Sequence, residues 1–211
     1  MFMGGEKETR ERLLDSARSE FSEKGYTKAS LRKICAGAGV TTGALYFFFR
    51  DKEDLFAAVV EPPLLELGQF LAEHFQEERE MLLPFMTYGH VSGDHDEFFA
   101  ALIHHIYKNR GAFILLLTKS QGSRFERCVD EMAGVVEKNY LAVAAEMEKV
   151  LPNKQVNAGM LHCLSYMVID AFVRLITHEP DEGRALAVMS RVMDFLVGGW
   201  MDLMLEDKPG V

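Results

Sequence analysis

The stretch from Gly25 to Phe56 constrains this chain more than any other, because it is punctuated at intervals too short for anything but small helices. Ahead of it, Leu13, Leu14, Ala17 and Phe21 recur at helical spacing with charges between them, and Thr9 is a candidate cap. That predicts a first helix over about residues 9–24, stopped by Gly25. Thr27 or Ser30 can cap a short second helix carrying Leu31, Ile34 and Cys35, which ends near Gly37-Ala38-Gly39. A third starts at Thr41 or Thr42 and carries Ala44, Leu45 and Phe47 or Phe48. Asp51-Lys52-Glu53-Asp54 opens a fourth, with acids in the first turn where the helix dipole favours them.

Two short helices joined by a glycine-containing turn form a compact angled pair. Gly39 supplies the left-handed residue that ends the first, and Val40 is placed to plug the angle, with Ile34, Cys35 and Leu45 completing a small core. Thr41, Thr42 and Gly43 expose hydroxyls and bare backbone, which suits close approach to a groove. In such pairs the start of the second helix reads base edges. Phe47 and Phe49 are expected in the core.

Beyond this stretch, Pro62-Pro63 is expected to break the fourth helix and mark a boundary. Longer amphipathic helices follow, with breaks near residues 89–94, Gly111, Gln121-Gly122-Ser123, Pro152-Asn153 and 179–183. Two apolar helices close the chain, over about 154–178 and 183–205. The expected fold is all-α: an N-terminal three-helix domain with a helix-turn-helix over residues 1–56, then a larger helical domain over 57–211.

Charge supports that division. The whole chain carries a net −9, yet residues 1–55 hold ten Lys/Arg against nine Asp/Glu, while 56–211 hold thirteen against twenty-three. A near-neutral head can bind DNA if its cations share a face, whereas the acidic remainder cannot be a nucleic-acid coat. No run of eighteen apolar residues argues for a membrane span, and the N-terminus lacks an apolar signal core. Cys35, Cys128 and Cys163 show no CxxC spacing, which points to buried reduced thiols and a cytoplasmic setting.

The ordered elements Gly25-Tyr26, Ser30, Ile34-Cys35, Ala38-Gly39-Val40-Thr41, Leu45-Tyr46, Phe48-Phe49 and Lys52-Glu53-Asp54-Leu55 closely resemble the TetR family over about residues 10–56. The resemblance implies a DNA-binding regulator rather than an enzyme. It implies that Ser30 and Arg32 touch DNA backbone or a base, and that Thr41, Thr42 and Gly43 face the major groove. Tyr46 would bond a phosphate, and Lys52 would bring charge and a helix terminus to another. Cys35 replaces the usual Ala. Phe48 stands where His or Tyr is common, so in place of a polar phosphate contact it can pack on a sugar edge or a thymine methyl. Plainer accounts compete: Ser30 and Thr41 also suit caps, Tyr46 suits a core, and Lys52 a solvated surface.

The resemblance further implies a homodimer, formed through the two closing helices, and a repressor released from operator DNA by an effector. Candidate pocket residues, chosen on composition, are Phe70, His74, Phe85, Phe98, Leu102 and Tyr107, with Phe113, Met147, Met167, Asp170 and Phe172 further along. Their character favours a small apolar or aromatic effector. Plain core is the competing account for most of them, and Asp170 can instead pair with Arg174 at i+4. His104 and His105 are adjacent on a helix and point in different directions. His90, Asp94, His95 and Asp96 lack diagnostic metal spacing, so neither a metal nor a cofactor is expected. Two other readings remain at this stage: a regulator of the same type governed by a protein partner or by abundance, and a metal-binding or enzymatic helical bundle.

Overall fold

The computed structural model describes residues 3–88 and 95–208, and within them all side chains except those of residues 3, 4, 78, 79, 81–88, 95, 96, 194 and 196–204. The chain runs α1 (Met3–Lys28), α2 (Leu31–Ala38), α3 (Thr42–Phe48), α4 (Lys52–Tyr88), α5 (His95–Lys108), α6 (Arg110–Lys119), α7 (Cys128–Val150), β1 (Lys154–Val156), α8 (Ala158–His178), α9 (Glu182–Met204) and β2 (Leu205–Asp207). The all-α architecture with an N-terminal helix-turn-helix is therefore observed. Contacts divide the chain into two units: Met1–Glu66 with Lys108–Cys128, and Leu67–Tyr107 with Val129–Val211.

In the first unit, Leu13, Leu14, Ala17 and Phe21 form the buried stripe of α1. The helix starts earlier than the sequence suggests, and Thr9 does not cap it; its hydroxyl donates back to the Gly5 carbonyl at 2.7 Å, one turn earlier. Gly25 interrupts the helix with φ 73° and ψ 164°, after which a last turn reaches Lys28. The stripe packs on α2 and α6, with Phe21 edge-on to Phe56 of α4 at 4.9 Å.

Two features set α2 against α1. The hydroxyl of Ser30 makes no capping bond, and its backbone N–H instead donates to the nearly buried Glu20 carboxylate at 3.1 Å. Ser16 donates to the Ile34 carbonyl at 2.8 Å, and a Cβ at Gly37 would come within 2.4 Å of that hydroxyl. Only a residue without a side chain permits so close an approach.

The fourth helix corrects an expectation. Pro62-Pro63 does not break it; α4 continues to Tyr88. Proline removes the donors that would have served the carbonyls of Ala58 and Val59. The stripe of Leu55, Phe56, Val59, Val60 and Leu67 stays buried across the site, so packing outweighs the lost bonds.

In the second unit α8 runs through three apolar clusters. It meets Val143, Ala144 and Met147 of α7 through Leu161 and Leu164. Ile169 meets Phe75 of α4 with Ala133 and Val136 of α7. Leu175 meets Ile103 of α5 and Ala185, Met189 and Met193 of α9. The closing helices have different limits from those expected, because Asn157 caps α8 by accepting from the Met160 N–H. Residues 154–156 pair instead with 205–207 as a two-stranded antiparallel ribbon, Lys154 opposite Asp207 and Val156 opposite Leu205.

By length and mean hydropathy, residues 52–77 of α4 and all of α8 would pass as membrane spans, although neither holds an unbroken run of eighteen apolar residues. Each nonetheless commits an apolar face to the clusters above, and α8 carries exposed Asp170 and Arg174 midway. No ion pair joins those two among the described residues, contrary to the i+4 expectation. Cys35 and Cys128 are buried, and burial pushes the Cys35 thiol up. Cys163 corrects the third thiol, since it is exposed.

Candidate nucleic-acid interface

The α2–α3 pair is shaped by its turn. Gly39 sits left-handed at φ 67°, its N–H reaching the Ala36 carbonyl, while the next N–H, from Val40, reaches Cys35. These bonds close off α2 and leave Thr41 extended, so that its side chain accepts from the Ala44 N–H at 3.2 Å and starts α3. Thr41 is a cap, and its position beside Thr42 and Gly43 still leaves all three exposed.

Below them α3 divides sharply. Leu45 is fully buried and Phe49 nearly so, while Tyr46 is 57% and Phe47 71% exposed. The Tyr46 hydroxyl has no hydrogen-bond partner among the described residues, so it is available to an external acceptor. Phe48 is half-buried, edge-on to Phe47 with ring centroids 5.0 Å apart. The expectation of a buried Phe47 is thus overturned, and that for Phe49 holds. Residues on α3 rotate about 100° per step, so three successive phenylalanines cannot share one face. Phe49 escapes that rotation because it is the extended C-cap, at φ −135° and ψ 129°, and turns inward.

Cations frame this surface. Arg32 lies exposed on α2 beside Lys33, and Arg50 is exposed just past α3. Arg50 pairs with Asp54 at 3.1 Å, which holds the Asp54 carboxyl below its usual range. Lys52 opens α4 with its ammonium over the Tyr26 ring, 4.6 Å from the centroid, donating to the Thr27 carbonyl at 3.1 Å. Tyr26 in turn donates to Glu53 at 2.7 Å. Burial first, then this bond and the charges of Glu53 and Asp51, push the phenol up to about 12. Glu53 also accepts from the Arg124 N–H at 3.1 Å, and the Arg124 guanidinium reaches Glu61 at 2.7 Å. Thr27 donates to the Gln121 carbonyl at 2.6 Å. Sequence reasoning missed this Tyr26–Glu53–Arg124 linkage; Gly25-Tyr26 was its only local trace.

Residues 13–59 match the family model described as bacterial regulatory proteins, tetR family. Over that stretch the chain is similar to the TetR family. Among curated relatives, the regulator AcrR of Shigella flexneri is 41% identical over 68 residues, 32% of each chain. The repressor BepR of Brucella suis is 45% identical over 53 residues, so these two matches span only a third and a quarter of the relatives' length. The repressor Rv1474c of Mycobacterium tuberculosis is similar at 25% identity over 87% of this chain and 90% of its own. Among solved structures, a transcriptional regulator from Aquifex aeolicus superposes with TM-score 0.59 at 19% identity, over 89% of this chain and 99% of its own. FadR of Bacillus subtilis, solved with stearoyl-CoA, superposes with TM-score 0.53 at 19% identity, over 89% and 97%. The matched family is one of regulatory proteins, not of enzymes.

Elsewhere in the chain the pocket candidates do not form one group. Phe70, His74 and Phe98 come together between α4 and α5: Phe98 stacks on His74 with centroids 3.4 Å apart and on Phe70 at 5.1 Å. Leu102 is buried further along α5. Tyr107 donates to the Glu179 carbonyl at 2.7 Å, a bond that ties α5 to the end of α8. Met147 and Phe172 pack in separate clusters. Phe113 is buried in the first unit, while Met167 and Asp170 are exposed on α8. The Phe85 side chain lies outside those described, as do residues 90 and 94 and the side chains of His95 and Asp96. Among the described residues no three His, Cys, Asp or Glu side chains are grouped to hold a metal. His104 faces Glu182 at 2.9 Å, away from any such cluster.

Proposed function

We propose that the chain is a dimeric DNA-binding repressor, with residues 1–56 as the head and 57–211 as the effector-binding and dimerising part. One observation carries the DNA reading: α3 buries Leu45 and Phe49 and offers Thr42, Gly43, Tyr46 and Phe47 outward, beside exposed Arg32. A helix needed only for packing would not spend that face on hydroxyls, bare backbone and rings. Thr42 and Gly43 approach base edges, while Ser30, Arg32, Tyr46 and Lys52 hold the duplex backbone. Phe48 backs the exposed ring of Phe47.

Dimerisation is supported by a shallow apolar hollow on α8 and α9, lined by Met167, Ala171, Val188, Arg191, Val192 and Phe195. A second copy covers this face, and its two heads reach successive major grooves about 34–36 Å apart. The effector is a small apolar or aromatic molecule that binds among Phe70, His74 and Phe98, favouring a body shape with the wrong head spacing. The stearoyl-CoA held by FadR makes a long-chain acyl group, the apolar part of that ligand, the first probe.

The test is selection of bound duplexes from a random library, followed by release with candidate effectors. Enrichment of one sequence over non-specific binding at moderate salt supports the reading, and its absence refutes it. Lys52→Ala and Tyr46→Phe should weaken binding to all sequences, whereas Thr42→Ala should change preference at one position.

A further inference from the structure

We infer that Phe47 is a specificity-determining residue that reads the 5-methyl group of thymine in the major groove. The inference rests on the DNA-binding reading above and assigns one of its base contacts. Among the described residues Phe47 is the most exposed large apolar side chain of the first unit, at 71%. An isolated exposed ring would mean little, but its surroundings give this one a task.

Gly43 lies four residues earlier, on the same face of α3. Long side chains on a helix lean toward its N-terminus, so the ring of Phe47 leans toward the turn that Gly43 begins. A Cβ at Gly43 would meet only the Thr41 hydroxyl, at 3.8 Å, so the space over that turn is open. Ring and bare backbone together make an apolar notch. Phe48 stands edge-on behind Phe47, 5.0 Å away and nearly perpendicular, which limits the ring's freedom to swing aside. Thr41 and Thr42 are exposed at the start of the same helix and Arg32 is exposed on α2, groups that suit the polar parts of a duplex.

A phenyl ring can neither donate nor accept a conventional hydrogen bond. Set against the exposed edge of guanine, adenine or cytosine, it would strip water from donors and acceptors and return nothing. The thymine methyl is the one apolar feature the major groove presents. The ring therefore favours thymine by contact and disfavours the other bases by desolvation.

Deoxyuridine differs from thymidine by that methyl alone, so a deoxyuridine scan of the selected duplex is the decisive experiment. Replacing each thymine in turn should weaken wild-type binding about fourfold at one position per half-site, the loss expected for one buried methyl. Phe47→Ala should bind more weakly, lose the sensitivity at that position, and keep the wild-type melting temperature. Phe47→Leu retains an apolar side chain and should keep part of the sensitivity, which covers the case of an alanine variant too weak to measure. Insensitivity of wild type at every thymine would overturn the inference, as would a Phe47→Ala variant equally sensitive to the same substitution. Both results leave DNA binding intact. Failure to enrich any duplex removes the DNA-binding reading and this assignment with it.

Discussion

The two units bury apolar surface in similar ways but differ in what their polar groups do. In the first, polar side chains are tied to backbone at defined corners: Glu20 holds the start of α2, Thr41 that of α3, and Asp51 that of α4 through the Asp54 N–H at 2.8 Å. In the second, three apolar clusters threaded by α8 carry the architecture, and few polar groups mark a place where anything must bind. Where a partner and a fold both restrict residues, the restriction shows in sequence. Where packing alone restricts them, many apolar choices serve equally.

The largest effect that would sharpen this contrast lies on the second unit's surface. Phe195, 79% exposed, should tolerate aspartate as far as one subunit's folding is concerned. Phe195→Asp should nevertheless convert the proposed dimer to monomer by analytical ultracentrifugation and weaken DNA binding about a hundredfold or more, because two heads no longer act together. A monomer with undiminished affinity would break the contrast.

Leu45→Ala is next. Deleting a fully buried side chain from the small core of the first unit should cost about 2–5 kcal/mol by denaturant unfolding. A similar truncation in the larger clusters of the second unit, such as Met189→Ala, should cost no more.

Gly37→Ala places a methyl within 2.4 Å of the Ser16 hydroxyl, so that group must leave the Ile34 carbonyl. The expected cost is about 1–3 kcal/mol. Combining it with Ser16→Ala should recover part of that loss, a non-additivity that a double-mutant cycle measures.

The smallest effect is a pH response. Because the folded-state pKa of Tyr26 is raised from 10 to about 12, folding favours the neutral phenol. Its stabilising contribution is complete below pH 10 and is lost as pH rises through 12. Tyr26→Phe should flatten that limb of a stability–pH curve, and an unchanged limb would remove the Tyr26–Glu53 bond from the account.

Much of the first unit was legible because its signals are local. Gly39, Thr41 and Asp51 each act within a few residues of their own position, and each lies at the helix boundary it suggests, while Gly25 kinks α1 one turn short of its end. Nonlocal effects were not legible. Pro62-Pro63 reads as a break because proline's penalty is local, whereas the buried stripe that outweighs it lies on both sides. Neighbouring phenylalanines at 47, 48 and 49 look alike until the extended conformation at 49 sends one inward. The proposed pocket failed to gather for a related reason: Phe113, Met147 and Phe172 share chemistry with Phe70 and Phe98 but not location.

The linkage of Glu53 to Arg124 has a consequence for the order of events on the ribosome. The first unit is assembled from two stretches of chain, with Phe125 packed 6.0 Å from Phe56 and α6 against α1. The helix-turn-helix is synthesised ahead of its supports at Gln121, Arg124 and Phe125, which leave the exit tunnel only after the intervening α4 and α5 have been made. At about 5–20 residues per second the nascent head waits several seconds with Phe56 incompletely covered. Such a chain favours intimate translation of its first 130 residues without long pauses, and a slow codon tract between 60 and 120 would lengthen its exposure to chaperones.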